Sequence, residues 1–139
     1  MSKIAVVYWT GTGNTGSMAE AIAKGAREAG AEADVWSVGG INAAGLQGYE
    51  KRAFGCPSIG DEVLEDSEFE PFFAEAEGAL SGIKVALFGS FGWGDGQWMR
   101  DWCKRTGAAG ALLFEEGLIQ NGEPDRAVCE EYGRRFAAF

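Results

Sequence analysis

The sequence predicts an α/β fold: a doubly wound, five-stranded parallel sheet with helices on both faces. Three observations carry that expectation. Apolar runs of strand length alternate with helical patterns along the 139 residues. Three glycine-rich stretches, at positions 10–15, 56–62 and 90–96, each follow a strand-like run. In a parallel sheet such loops gather beyond the carboxyl ends of the strands, where ligands bind. The length suits one domain, residues 1–139, and a hydrophobic fraction of 46% suits a packed core.

Taken in order, Lys3 to Tyr8 reads as a strand buried on both faces, because its apolar residues do not alternate with polar ones. A helix is expected from about Thr15 to Glu28, with Met18, Ile22, Ala26 and Ala29 on its inner face and Gly30 as its stop. Ala33 to Val38 forms the second strand, and Ala43 to Leu46 a helical turn. Lys51 to Gly55 carries the weakest strand signal, with Ala53 and Phe54 as its apolar centre; Lys51 and Arg52 read as solvated charge at its start. Ser67-Glu68-Phe69-Glu70 has capping-box spacing. It predicts a helix to about Leu80, with Phe69, Phe72, Phe73 and Ala76 inward and Pro71 tolerated in its first turn. Ile83 to Gly89 is the clearest later strand. A helix from about Gln97 to Arg105 follows, and Gly107 stops it. Ala111 to Phe114, resumed at Leu118-Ile119, gives the fifth strand. The last helix opens near Pro124-Asp125, with Val128, Tyr132, Arg135, Phe136 and Phe139 as its inner stripe.

Composition excludes several functions. A net charge of −9 argues against nucleic acid and anionic membranes as partners and for basic protein partners. The chain has no histidine, so the usual metal ligand and neutral-pH general base are missing. Cys56, Cys103 and Cys129 form no C-x-x-C pair. They read as reduced, buried thiols of a cytoplasmic protein. No run is long enough to cross a membrane, and a monomer is expected.

The first loop, Thr10-Gly11-Thr12-Gly13-Asn14-Thr15, lies between a strand and a helix. Backbone N–H groups and a helix N-terminus should therefore point at one spot, where hydroxyls and the Asn14 amide add donors. No Lys or Arg occurs between Ile4 and Ala23. Such a site suits one phosphate monoester better than a triphosphate with magnesium. The same letters also spell Gly11-x-Gly13-x-x-Gly16, with Asp34 at a spacing that meets a ribose in dinucleotide-binding folds. The short chain argues against two mononucleotide halves, but a single-half nucleotide-binding module stays open on sequence alone.

The second loop contributes Pro57, Ser58, Ile59, Gly60, Asp61 and Glu62, and the third Ser90, Phe91, Gly92 and Trp93. Neither offers a nucleophile paired with a base. Trp93, set among glycines, and Ile59 would make a slot for a planar ring, and Glu62 could accept from a ring N–H. A planar heteroaromatic joined to one phosphate is riboflavin 5′-phosphate, FMN.

The chain resembles the short-chain flavodoxins of anaerobic bacteria. The matching segments are Val7 to Thr15, Gly55-Cys56, Gly60 to Asp66, Phe88 to Gly96, Trp98 to Asp101, Asn121 and Pro124-Asp125. The resemblance implies a sheet of order 2-1-3-4-5 and non-covalently bound FMN. Thr10 to Thr15 would hold the phosphate, Trp93 and Ile59 the two ring faces, and Glu62 with nearby backbone the pyrimidine edge. Ser90 to Gly92 would contact the ring and its ribityl side. It also implies that the peptide after Gly60 turns over on one-electron reduction, a movement glycine permits. The implied function is a low-potential one-electron carrier between redox proteins, cycling mainly between semiquinone and hydroquinone, without substrate turnover of its own. Asp61, Glu62, Glu65 and Asp66 would disfavour negative charge on the ring. Ile59 stands where many relatives have methionine, which bears on potential, not on binding. The alternative is a flavoenzyme, or a specialised flavin activator of another enzyme, sharing the same fold.

Overall fold

A computed structural model describes residues 2–139. The strands are β1 (Lys3–Tyr8), β2 (Glu32–Ser37), β3 (Lys51–Gly55), β4 (Lys84–Phe91), β5 (Leu112–Leu113) and β6 (Leu118–Asn121). The helices are α1 (Asn14–Glu28), α2 (Phe69–Glu77), α3 (Gln97–Ala108) and α4 (Arg126–Ala138), with a 3₁₀ turn at Ala43–Gly48. All pairs of the sheet are parallel, in the order β2-β1-β3-β4-β5. The fifth strand is split, as Leu118-Ile119 suggested. β5 pairs with Lys84 and Val85 at the start of β4, and β6 with Phe88 to Phe91 at its end. A right-handed crossover through a helix joins parallel strands, so the chain must place helices on both faces.

Alternate residues of the central strands face two cores. Ile4, Val6, Ala53, Ala86 and Phe88 pack against α1 and α4. Ala5, Val7, Phe54, Cys56, Val85 and Leu87 pack against α2 and α3, where Phe69, Phe73 and Trp102 meet edge to face or stacked. α1 and α4 approach closely through two glycines. A Cβ on Gly25 would lie 1.8 Å from the Glu130 carbonyl oxygen, and one on Gly133 2.0 Å from that of Ile22.

That close approach fixes the rotation of α4. Its inner stripe is Cys129, Tyr132, Gly133 and Phe136, the second and last as expected; Val128 and Arg135 are exposed, against expectation, and Phe139, past the helix end, is partly exposed while its ring packs on Phe114. Ala29, beyond the last turn of α1, is exposed as well. Lys51 and Arg52 are not solvated charges at the start of a strand. Each is 4% exposed, because β3 runs between β1 and β4 with both faces covered. Lys51 Nζ donates to the carbonyls of Phe136 (3.0 Å) and Ala137 (2.7 Å), closing the end of α4 where a cation is favoured. Arg52 Nε has no hydrogen-bond partner among the described residues.

The capping box does not form either. Ser67 donates its N–H and hydroxyl to Glu65, and the Glu65 carboxylate also accepts the N–H groups of Glu68 and Phe69, both at 2.8 Å. Glu65 thus caps α2 from outside it. Glu70, freed from a capping role, joins Glu77 in clamping Arg105 of α3. The helix ends at Glu77, earlier than predicted.

Candidate functional site

The three loops meet at the carboxyl end of the sheet. Ser90, at the end of β4, stitches them together. Its carbonyl accepts the Ser58 N–H (3.1 Å), its N–H donates to Thr15 Oγ1 (3.3 Å), and its hydroxyl shares a hydrogen bond with Thr15 Oγ1 (2.8 Å). A cavity of about 230 Å³ opens where they join. Its walls are Gly11, Thr12 and Asn14 from the first loop, Pro57, Ser58 and Ile59 from the second, and Ser90, Phe91 and Gly92 from the third. Trp9 and Gly122 complete it.

The first loop is a donor cup. Gly13 adopts a left-handed conformation (φ 98°), which lets consecutive N–H groups converge. α1 starts immediately after it with no side-chain cap and no acidic residue in its first turn. Its leading N–H groups therefore face the loop without an intramolecular partner from a side chain. Thr10 braces the turn by accepting the Gly13 N–H at 3.0 Å. Thr15 is 1% exposed and its hydroxyl is committed to Ser90, so the cup presents Thr12 and Asn14 at the cavity wall.

The second loop is a tight reversal. Ile59 and Val63 exchange both backbone hydrogen bonds, at 2.9 and 3.0 Å, and pin its base. Gly60 (φ 54°) and Glu62 (φ 57°) take left-handed conformations at its tip, and open space surrounds the Gly60 Cα. Asp61 is exposed, and Glu62 turns away from it toward α3. Glu62 Oε1 accepts the Asp95 N–H (3.3 Å) and Oε2 the Trp98 N–H (3.4 Å). The side chain occupies the space that a Cβ on Gly94 would take. Glu62 thereby ties the second loop to the third and caps α3, whose own N-cap residue is glycine.

Trp93 is 62% exposed between Gly92 and Gly94 and stands outside the cavity wall. Gly60, Asp61 and Glu62 also lie beyond that wall, so the cavity itself gathers only part of the expected residue set. Of the other tryptophans, Trp98 and Trp102 are buried, and Trp36 is half-buried with its Nε1 donating to Tyr49. Trp9 is a cavity wall that the sequence does not distinguish from a packing or rim residue. Its position two residues after Val7, next to the glycine-rich turn, is the available signal. Gly122 gives none, because it reaches the site only through the split edge strand.

Cys56 and Cys129 are buried; burial pushes their thiols up to about 12 and about 11 respectively. Cys103 is only half-buried, unlike the expectation for all three. Among the described residues no cluster of His, Cys, Asp or Glu could hold a metal, and no helix is long and apolar enough to cross a membrane. Asp34 lies in the middle of β2, paired with Ala5, and its carboxylate accepts the Tyr49 hydroxyl at 2.6 Å. It is remote from the carboxyl end where a dinucleotide ribose would sit.

Comparison with known proteins bears on this arrangement. The family model described as flavodoxin matches residues 6–132. The chain is 49% identical to a flavodoxin of Clostridium beijerinckii over 134 residues, covering 95% of this chain and 97% of that one. It is 41% identical to a flavodoxin of Megasphaera elsdenii over 135 residues, covering 96% and 98%. The solution structure of the two-electron reduced Megasphaera elsdenii flavodoxin superposes with a TM-score of 0.91, covering 98% of this chain and 99% of that one.

Proposed function

The chain belongs to the flavodoxin family, and from that premise we propose that it is a low-potential, one-electron carrier between redox proteins. Flavodoxins are FMN-binding electron carriers, and FMN is the cofactor of this chain. When bound, FMN supplies the one-electron chemistry; the protein supplies binding, orientation and electrostatics.

The observation that carries the reading is the uncapped N-terminus of α1 behind a left-handed Gly13, in a cup free of Lys and Arg, opening on a cavity shared by three loops. The residues fit a phosphate monoester with a polar chain behind it. Thr10 to Thr15 hold the phosphate through backbone N–H groups, the Thr12 hydroxyl and the Asn14 amide. Thr15 acts through Ser90, setting the distance between the cup and the third loop. Pro57, Ser58, Ser90, Phe91 and Gly92 line the sugar-alcohol chain and inner ring edge. Ile59 covers one ring face and Trp93 the other. Gly60, Asp61 and Glu62 flank the outer edge, with the peptide after Gly60 free to present either the Asp61 N–H or the Gly60 carbonyl.

Exposed Asp61 and Asp66 disfavour added negative charge at that edge. Glu65 contributes less than the sequence suggested, since its charge is spent on the α2 N-terminus. About 59 mV of one-electron shift equals a tenfold change in relative binding of two redox states, so modest differences suffice. With no histidine in the chain, no side chain stands ready as a neutral-pH acid or base, which supports a carrier without turnover of its own. It works as a cytoplasmic monomer and docks on basic surfaces.

The test is cofactor titration of the purified protein followed by stepwise dithionite reduction. Retention of FMN and a transient blue colour are the expected results, together with negligible turnover of nicotinamide or quinone substrates when no partner protein is present. Failure to retain FMN overturns the reading; steady turnover without a partner overturns the carrier role and favours a flavoenzyme.

A further inference from the structure

We propose that the groove between the β2–β3 connection and α2 docks a basic, amphipathic segment of a redox partner, and that its occupation is felt at the cofactor cavity through Glu68 and Trp9. The inference rests on the carrier reading above and adds a place and a chemistry for the partner.

The groove measures about 330 Å³. Val38, Gly39 and Ile41 form one side, Pro71 and Phe72 the other, and Glu68 and Glu75 stand at its rim. Its surroundings are acidic. From Ala53 to Ile83 the chain holds eight carboxylates, namely Asp61, Glu62, Glu65, Asp66, Glu68, Glu70, Glu75 and Glu77, and no Lys or Arg. Several of these are spent inside the molecule. Glu70 and Glu77 clamp Arg105 at 2.7 and 2.8 Å, Glu65 caps α2, and Glu62 caps α3. Glu75 makes no ion pair among the described residues, and the Glu68 carboxylate bonds only the Trp9 indole. Two unneutralised carboxylates beside an apolar floor match a ligand that brings cations and one apolar side chain together. An acidic or purely polar segment would leave either the charges or the floor unmatched.

The link to the cofactor site is a single hydrogen bond. Trp9 Nε1 donates to Glu68 Oε1 at 2.9 Å. The Trp9 ring lines the cofactor cavity and packs against Gly11, where a Cβ would come within 3.2 Å of it. A partner lysine or arginine that engages Glu68 competes with this bond and loosens one wall of the cofactor cavity. Docking and cofactor binding are then coupled, and the coupling is reciprocal.

The test uses isotope-labelled, FMN-loaded protein and an acetylated peptide of alternating Lys and Leu, with Lys–Ser and Glu–Leu peptides as controls. Amide shifts confined to residues 38–42 and 68–75, together with a shift of the Trp9 indole N–H, are expected. Glu75→Gln should weaken the Lys–Leu peptide about three- to fivefold, while Glu20→Gln with Glu32→Gln leaves it unchanged. Shifts centred on residues 59–63 and 93–96 would overturn the proposal, as would equal weakening by the remote pair or by Lys–Ser binding as tightly. None of these outcomes touches the carrier reading, which stands or falls on FMN retention.

Discussion

Trp93 and Glu65 show how differently single side chains can be used beside one site. An indole 62% exposed between two glycines gives up the burial that tryptophan normally gains. The proposed role of that free face is to cover a flavin ring. Trp93→Ala should weaken FMN binding by about 1–3 kcal/mol, the scale of aromatic stacking on a planar base. Stability of the cofactor-free protein in urea should change by less than about 0.5 kcal/mol, as for other exposed positions. Unchanged affinity would remove the stacking role. Glu65 is the opposite case, a carboxylate 7% exposed. Burial would raise its pKa, but the Ser67 hydroxyl and the N–H groups of Phe69, Ser67 and Glu68 outweigh that and hold it at about 2. The depressed value means that Glu65 stabilises the fold above its unfolded pKa near 4.5, and that this contribution is lost as pH falls toward 2. Glu65→Gln should cost about 1–2 kcal/mol at pH 7 and flatten the loss of stability between about pH 4.5 and 2. A variant with the wild-type acid profile in urea titrations would show that the cap is not the source.

Between elements, the α1–α4 contact brings the two helix backbones close together. Gly25 and Gly133 each face a backbone carbonyl of the partner helix, and backbone cannot move aside as a flexible side chain can. Gly133→Ala should destabilise by about 1–3 kcal/mol through overpacking, despite alanine's better helix propensity. Chemical denaturation measures it, and a stabilised variant would mean that the helices can separate without loss. This contact also explains what is legible in the sequence and what is not. Strand runs, loop positions and the inner residues of α1 and α2, Ala29 excepted, follow from periodicity, which is local. The rotation of α4 is legible only in part: Tyr132 and Phe136 face inward as expected, but Val128 and Arg135 do not, because the exact rotation depends on which glycine meets which carbonyl across two helices. The burial of Lys51 and Arg52 is likewise hidden, since only topology makes β3 a central strand. In the site, the donor cup can be read from its letters. The hub role of Ser90 and the commitment of Glu62 to α3 cannot, because both are contacts between loops far apart in sequence.

At the scale of the whole molecule, the charge balance is strongly acidic. The chain carries 21 acidic against 12 basic residues, and many of the latter are already paired with carboxylates, including Arg105, Arg134 and Arg135. The field that remains is negative and long-ranged at low salt, and it shrinks as the screening length falls from about 30 Å at 0.01 M to about 3 Å at 1 M. Electron transfer from the reduced protein to a basic haem protein should therefore slow by about tenfold or more across that range, because steering acts on encounter. Transfer to an acidic acceptor should speed up as screening relieves repulsion. Stopped-flow rates at a fixed acceptor concentration separate these cases. A rate to the basic acceptor that is flat in salt would mean that docking is governed by apolar contact alone, and the acidic surface would then serve solubility and not recognition.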